Sequence, residues 1–424
     1  MPVHIEENGN GSIQDTDEHS GLLSDQLPRW NGSNGNPYHE DERAWVRWPA
    51  YTWHLTQRTL LNNYVNVLLV FVPLGIVAGK LGWSAGTVFT LNFLAIIPLA
   101  SLLSFATEEL AVKLGQTLGG LLNATFGNAV ELIVSIVALK EGQIRIVQSS
   151  MLGSILSNIL LVLGCCFFTG GLKYKEQKFN ETAASTMSSL MAVASASLII
   201  PATLYAAMSG SKADSEAHVI ILSHGTAIIL LVLYVMYLYF QLKSHADFFD
   251  AGEEEEDEEE HILNPWAAGI ALVVVTVLVA VCAEYLVDSI DAIVESTHIT
   301  KTFIGLILLP IVGNAAEHVT AVVVSWKNKM DLAMGVAIGS SMQIALLVTP
   351  FLVILGWIMG VNMTLHFELF ETVVFFLSVL VVNYLIQDGK SNYLEGAMLL
   401  GMYLIIALAF GVYPDDATGN PNGF

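Results

Sequence analysis

The segment GNAVE, Gly127 to Glu131, returns 186 residues later as GNAAE, Gly313 to Glu317. Without a gap, the same shift pairs Gly153-Ser154 with Gly339-Ser340 and Leu160-Leu161-Val162 with Leu346-Leu347-Val348. Over residues 127 to 163, ten of 37 positions are identical, and a coincident Gly-Asn-Ala-x-Glu and Gly-Ser is more than shared apolar composition supplies. Upstream, Glu109 meets Glu295 and Gly119 meets Gly305. The chain is a duplicated unit, which constrains its architecture before any single element is considered.

Of the 424 residues, 54% are hydrophobic and 13% charged, more apolar surface than a soluble chain can hide. Runs long enough to cross a bilayer, roughly 20 residues each, fall near 63–79, 87–105, 117–139, 146–168, 185–206 and 217–241, and again near 265–287, 302–324, 332–358, 369–386 and 393–411. The expected fold is an all-α integral membrane protein of eleven transmembrane helices. One extra N-terminal helix (63–79) precedes two five-helix repeats, 87–241 and 265–411, joined by an acidic linker, 243–264. Five is odd, so the second repeat enters the membrane inverted, the plan of many secondary transporters whose sites lie near the midplane.

Positive residues favour the cytosol. With a cytosolic N-terminus, twelve Lys and Arg fall inside and five outside (Lys80, Lys140, Arg145, Lys212, Lys301), so the 412–424 tail is expected on the lumenal side. Residues 1–62 are polar, lack the apolar core of a signal peptide and are expected to form a largely disordered cytosolic tail, in which EHSGLL, Glu18 to Leu23, resembles an acidic dileucine sorting signal. Cys165, Cys166 and Cys282 lie in apolar runs and read as small hydrophobes, with no disulfide framework. Part of the net charge of −22 is one block, Glu253, Glu254, Glu255, Glu256, Asp257, Glu258, Glu259 and Glu260, read either as a solvated linker or as a regulatory, cation-attracting segment.

A charged side chain in hydrocarbon costs at least about 2.5 kcal/mol on insertion scales, so Glu131 and Glu317 need a task. Gly119, Gly120 and Gly127 punctuate the third span, Pro310 and Gly313 the eighth, and each interruption frees backbone carbonyls that lipid cannot satisfy. Asn128, Glu131 and Ser135 share one helical face; Asn314, Glu317 and His318 are grouped alike. Antiparallel crossing brings the two glutamates together, where they cannot both stay ionised without a cation between them or a proton on one. The donors are hard oxygens: Gln148, Ser149, Ser150, Ser154, Ser157 and Asn158 on the fourth span, Ser340, Ser341 and Gln343 on the ninth. Ser154, Ser157, Ser340 and Gln343 are repeat-equivalent and preferred as ligands, with the backbone near Gly127 and Gly313. That set suits Ca²⁺ or Mn²⁺ better than zinc.

Carboxylates that hold a cation when ionised release it when protonated, which is the physical basis of antiport. His318 titrates in the range separating cytosol from an acidic lumen and is expected to couple protons alongside Glu131 and Glu317. Glu108 and Glu109 end the second span on the cytosolic side and are expected to guide cations inward. Glu284, Asp288 and Asp291 form an acidic face near the seventh span's far end, with Glu284 the candidate lumenal guide. His224 has no repeat partner and reads as structural.

The stretches GGLLNATFGNAVELIVSIVALKEGQIRIVQSSMLGSILSNILLVLG and KTFIGLILLPIVGNAAEHVTAVVVSWKNKMDLAMGVAIGSSMQIALLVTPF, with ATEELA and the acidic loop, resemble the cation/proton exchanger branch of the Ca²⁺/cation antiporters, specifically its fungal vacuolar Ca²⁺/H⁺ exchangers. The resemblance covers roughly residues 63 to 412 and implies Ca²⁺ moved into the vacuole against proton flow. It implies that Glu131 and Glu317 are the central Ca²⁺ and proton ligands, with Asn128 and Asn314 at matching motif positions and His318 following the second glutamate. The expected substrates are Ca²⁺ and H⁺ within a lipid bilayer, with no cofactor and no nucleic-acid partner. The sequence leaves the oligomeric state open, a homo-oligomer included.

Two rival readings stay open at this level. A Na⁺/Ca²⁺ exchanger would use the same scaffold, but the fourth and ninth spans offer no acid for several Na⁺ ions. A passive cation channel would use a glutamate ring, yet an inverted repeat suits alternating access. An intramembrane hydrolase would need a His/Cys metal pattern that does not accompany Glu317-His318.

Overall fold

The computed structural model describes residues 63–208, 212–246, 263–297 and 299–413. The polar N-terminal tail with its EHSGLL motif, the acidic block Glu253 to Glu260 and the C-terminal tail from 414 lie outside the described residues. Among the described residues the chain is almost wholly helical. Seven helices are long and apolar enough to cross a membrane, eight when a bent pair is taken as one span, and two shorter apolar helices accompany them. The helices are α1 (Tyr64–Lys80), α2 (Ala85–Gly115), α3 (116–126), α4 (Ala129–Lys140), α5 (Ile144–Lys173), α6 (Glu181–Ala207), α7 (Ala217–Ser244), α8 (Pro265–Thr297), α9 (Lys301–Gly313), α10 (Ala315–Trp326), α11 (Met330–Met359), α12 (Leu369–Leu385) and α13 (Tyr393–Val412).

Local chemistry sets the boundaries. The Ser84 hydroxyl accepts the Thr87 N–H, Asn180 caps the first turn of α6, and Asn264, followed by Pro265, caps α8. Glu368 and Glu371 form a reciprocal capping box at the head of α12. The helical stretch Ala85–Phe126 breaks at Gly115, whose φ of 78° separates α2 from α3.

The duplication is written into the helix limits. α4 and α10 begin and end 186 residues apart, and so do α5 and α11. Both α4 and α10 start after an asparagine with non-helical backbone, Asn128 (φ −102°, ψ 28°) and Asn314 (φ −90°, ψ 5°). Between α9 and α10 the axis bends by 58°. Both α5 and α11 widen by one residue per turn at equivalent places, Ser157–Val162 and Ile344–Val348. Widened turns of this kind collect at functional sites.

Small residues let the helices meet closely. A Cβ on Gly153 would strike the Leu306 carbonyl, and one on Gly305 would strike Ser149 Oγ, so α5 and α9 pack backbone to backbone. Gly164 and Gly396 do the same for α5 and α13. At one end of the bundle the two-residue strands β1 (Gln177–Lys178) and β2 (Lys390–Ser391) pair antiparallel, joining the α5–α6 connection to the α12–α13 connection.

Candidate functional site

The two helix breaks meet in the middle of the molecule, each facing a side chain from the other repeat. A methyl group placed on Gly313 would sit 2.6 Å from Glu131 Oε1, and one on Gly127 would sit 3.6 Å from Gln343 Oε1. Glycine at 313 therefore leaves room for the opposing repeat, whereas at 127 it is the Asn123 carbonyl of the preceding turn, 2.8 Å away, that excludes a side chain. Glu131 lies close enough to Glu317 for its charge to act on that carboxyl, which the Ser340 hydroxyl also reaches.

A chain of hydrogen bonds crosses the repeats beside them. Asn128 donates its Nδ2 to Gln343 Oε1 at 2.7 Å, Ser340 Oγ donates to Asn128 Oδ1 at 2.8 Å, and Asn158 Nδ2 donates to Ser340 Oγ at 3.0 Å. Repeat symmetry breaks at the counterpart of Gln343, which is Ser157. Its shorter side chain meets His318 Nε2 at 3.3 Å. Both polar atoms of the Asn314 side chain are buried without a hydrogen-bond partner among the described residues, and so are Glu131 Oε1, Ser135 Oγ, Asn158 Oδ1 and Glu317 Oε2. Buried polar atoms are normally paired. Here four carbonyl or carboxyl oxygens are left unpaired, three on α4, α5 and α10 and one at the break before α10, a donor set that suits a hard cation held by oxygens.

Two cavities reach this centre from opposite ends. One, of about 380 Å³, is lined by Glu108, Asn123, Gly127, Gln241, Glu317, Thr320, Ser340 and Gln343, among others. The other, of about 20 Å³, is enclosed by Glu131, Ser135, Ser150, Ser154, Pro310 and Gly313 with apolar neighbours including Ile96 and Leu286. A single water-sized particle needs roughly 10–15 Å³ on this measure, so the second space holds about one. The two linings are images of each other under the 186-residue shift: Val130, Glu131, Val134, Ser150 and Ser154 return as Ala316, Glu317, Thr320, Val336 and Ser340, while Asn123 and Gly127 return as Leu309 and Gly313. One image is open and the other closed.

The remaining sequence-predicted residues are placed as follows. Glu108 borders the open cavity. Glu109 lines neither cavity; it is buried and accepts the Leu263 N–H at 3.0 Å, anchoring the approach to α8. Glu284 is exposed at the other end and pairs with Lys140 at 3.6 Å. Beside it Asp291 pairs with Lys301 at 2.6 Å and accepts from Gln143 at 2.8 Å, so Glu284 and Asp291 each sit beside a lysine, while Asp288 lies near Glu141, Glu284 and Lys140. His224 stacks on Trp357 with ring centroids 4.3 Å apart, in keeping with a structural part.

One cluster was not legible in the sequence. Arg145, at the start of α5, forks onto Glu371 at 2.9 and 2.5 Å, reaches Glu368 at 3.2 Å and donates to Thr302 Oγ1, tying α5, α9 and α12 together at the closed end. Glu371 is fully buried. Its signal was an acid inside the apolar run 369–386; nothing in the spacing named its partner.

Residues 84–243 and 267–412 match the sodium/calcium exchanger protein family, leaving out the acidic linker. The chain is 55% identical over 361 residues to the vacuolar calcium ion transporter of Schizosaccharomyces pombe, covering 85% of this chain and 87% of that one. It is 46% identical over 370 residues to vacuolar cation/proton exchanger 2 of Oryza sativa subsp. japonica, covering 85% and 84%. Among solved structures, native YfkE superposes with a TM-score of 0.72 at 39% identity, covering 83% of this chain and all of that one. An inverted pair of glutamates at two helix breaks, reached by one open and one closed cavity, and a match spanning both repeats lead to one conclusion: the chain belongs to the sodium/calcium exchanger protein family.

Proposed function

We propose that this protein exchanges cytosolic Ca²⁺, with Mn²⁺ the alternative that its oxygen donors suit, for lumenal H⁺ across the vacuolar membrane by alternating access. The observation that carries the reading is the pair of symmetry-related cavities, one open onto Glu317 and one closed over Glu131, meeting at unpaired carboxyl oxygens. Names of close relatives, a vacuolar calcium ion transporter and vacuolar cation/proton exchangers, agree with the ion pair, the organelle and a transporter rather than an enzyme.

In this reading the chain crosses the membrane eleven times, α3–α4 and α9–α10 each making one broken span and α1 and α12 the two short ones. The N-terminus is cytosolic and the C-terminus lumenal, so the open cavity faces the cytosol. Ca²⁺ enters past Glu108, sheds water against Asn123, Thr320 and Gln343, and settles between Glu131 and Glu317 with oxygens of Asn314, Asn128 and the backbone at Gly127 and Gly313. Ser154, Ser340 and Ser157 complete the shell. Two carboxylates neutralise one divalent ion. When the open cavity closes and its image opens, lumenal protons neutralise the same carboxylates and the cation leaves. His318, held by Ser157 directly after Glu317, takes part in the proton step.

The test is ⁴⁵Ca²⁺ uptake into sealed vesicles carrying the purified protein. An acid-inside pH gradient should drive accumulation, and a protonophore should abolish it. Accumulation driven by a Na⁺ gradient, with none from a pH gradient, would overturn the proposal in favour of Na⁺ exchange.

A further inference from the structure

The open and closed half-paths are built on the same positions, so any difference in what they accept must come from positions where the repeats diverge. Two divergences matter for a divalent ion. The open cavity carries Asn123 and Thr320, and their counterparts at the closed end are Leu309 and Val134. Asn123 and Thr320 are both exposed to the open space, and the Thr320 hydroxyl donates to Ala316 O at 3.2 Å, which turns its oxygen lone pairs outward. Leu309 and Val134 are buried and apolar. Conversely, the closed space carries the Ser135 and Ser150 hydroxyls, whose counterparts are Ala321, which is buried and does not line the open cavity, and Val336, which does.

Ca²⁺ is held by several oxygens and gives up its water only where other oxygens replace it. A wall with an amide carbonyl and a hydroxyl allows that exchange one ligand at a time, whereas leucine and valine at the matching positions supply no oxygen, so the closed space offers serine hydroxyls but no amide carbonyl beside its glutamate. A serine hydroxyl both donates and accepts, and so suits a proton carried along water. Ser135 Oγ, buried and without a partner, is placed for that role next to Glu131.

We infer that Asn123 and Thr320 are specificity-determining residues of the open half-path, and that Leu309 and Val134 make the closed half-path a poor acceptor of Ca²⁺. The direction of capture is then set by the walls rather than by the glutamate pair, which both half-paths share. The inference rests on the antiport reading above and adds which residues give each face its ion preference.

Thr320→Val and Val134→Thr exchange side chains of nearly equal shape, and elution of each variant as a single folded species in detergent checks that the hydroxyl buried by Val134→Thr is tolerated; Asn123→Leu alters an exposed position. Wild-type vesicles serve as the reference, because absence of proton-driven uptake in them overturns antiport itself. Given that uptake, Asn123→Leu with Thr320→Val should raise the KM for Ca²⁺ at the open-cavity face roughly tenfold, the loss expected for about two oxygen contacts. The KM at the other face, measured by reverse exchange from Ca²⁺-loaded vesicles, should stay unchanged. Val134→Thr should do the opposite, lowering KM at the closed-cavity face alone. Equal shifts at both faces, or no shift in either variant, would overturn the inference while leaving antiport standing.

Discussion

The Glu131 carboxyl occupies the notch that Gly313 leaves in the opposite repeat, with Oε1 2.6 Å from where a Cβ on that glycine would stand. The glutamate of one half is thus seated by the helix break of the other. Gly313→Ala should displace the carboxyl by a substantial part of an ångström and lower exchange about a hundredfold, the cost of misplacing a reacting group by that distance. Initial rates of Ca²⁺ uptake at matched protein levels measure it.

Glu131→Gln and Glu317→Gln each keep the shape of the side chain and remove the charge proposed to neutralise the cation. Each should reduce proton-driven uptake at least about a hundredfold, while the protein still elutes as a single folded species in detergent. Near-normal uptake by either variant would contradict the site.

In the proposed site protons and Ca²⁺ compete for the same oxygens, because a carboxyl binds the metal only when deprotonated. Lowering the pH on the open-cavity face should therefore raise the KM for Ca²⁺ by up to about tenfold per pH unit for each competing proton, with the maximal rate little changed. Acid on the opposite face should accelerate uptake. His318→Ala should shift this pH profile; an unchanged profile would reduce the residue to packing against Ser157.

Arg145 neutralises Glu371 at the closed end, where Glu371 is fully buried. Removing one partner of such a pair strands the other, so Arg145→Gln should destabilise the protein by about 3–5 kcal/mol. Arg145→Met combined with Glu371→Leu should recover only part of that loss, since it removes the stranded Glu371 carboxylate but also the capping box at the head of α12 and the cation beside Glu368. Thermal unfolding in detergent compares the single and double variants.

The sequence carried the repeat register to the residue. The 186-residue shift read from GNAVE and GNAAE reappears in the limits of α4 and α10 and of α5 and α11. It was legible because glycine, asparagine and glutamate are rare in apolar runs and therefore mark position. Partners between helices were not legible, since periodicity says which face a residue occupies but not which helix covers it. Gln343 was picked as a repeat-equivalent ligand, yet its bond to Asn128 and the failure of Ser157 to make the matching bond are facts of side-chain length across a gap. Glu109 and Glu284 read as cation guides, with no sign of their partners, Leu263 N–H and Lys140, because these lie far off in the chain. Which cavity is open could not be read at all, because both linings come from the same motif.

The short pairing of Gln177 with Ser391 and Lys178 with Lys390 joins loops that belong to different repeats. Hydrogen-bonded strands lie only about 4.8 Å apart, so those loops cannot separate while the pair persists. With one end tethered in this way, a change of access cannot be a parallel separation of the two halves. It becomes a rotation about the tether, with travel growing toward the far end, where the Lys140–Glu284 and Lys301–Asp291 ion pairs lie at the surface. The strand pair, two residues on each side, would then work as the hinge pin of the exchanger.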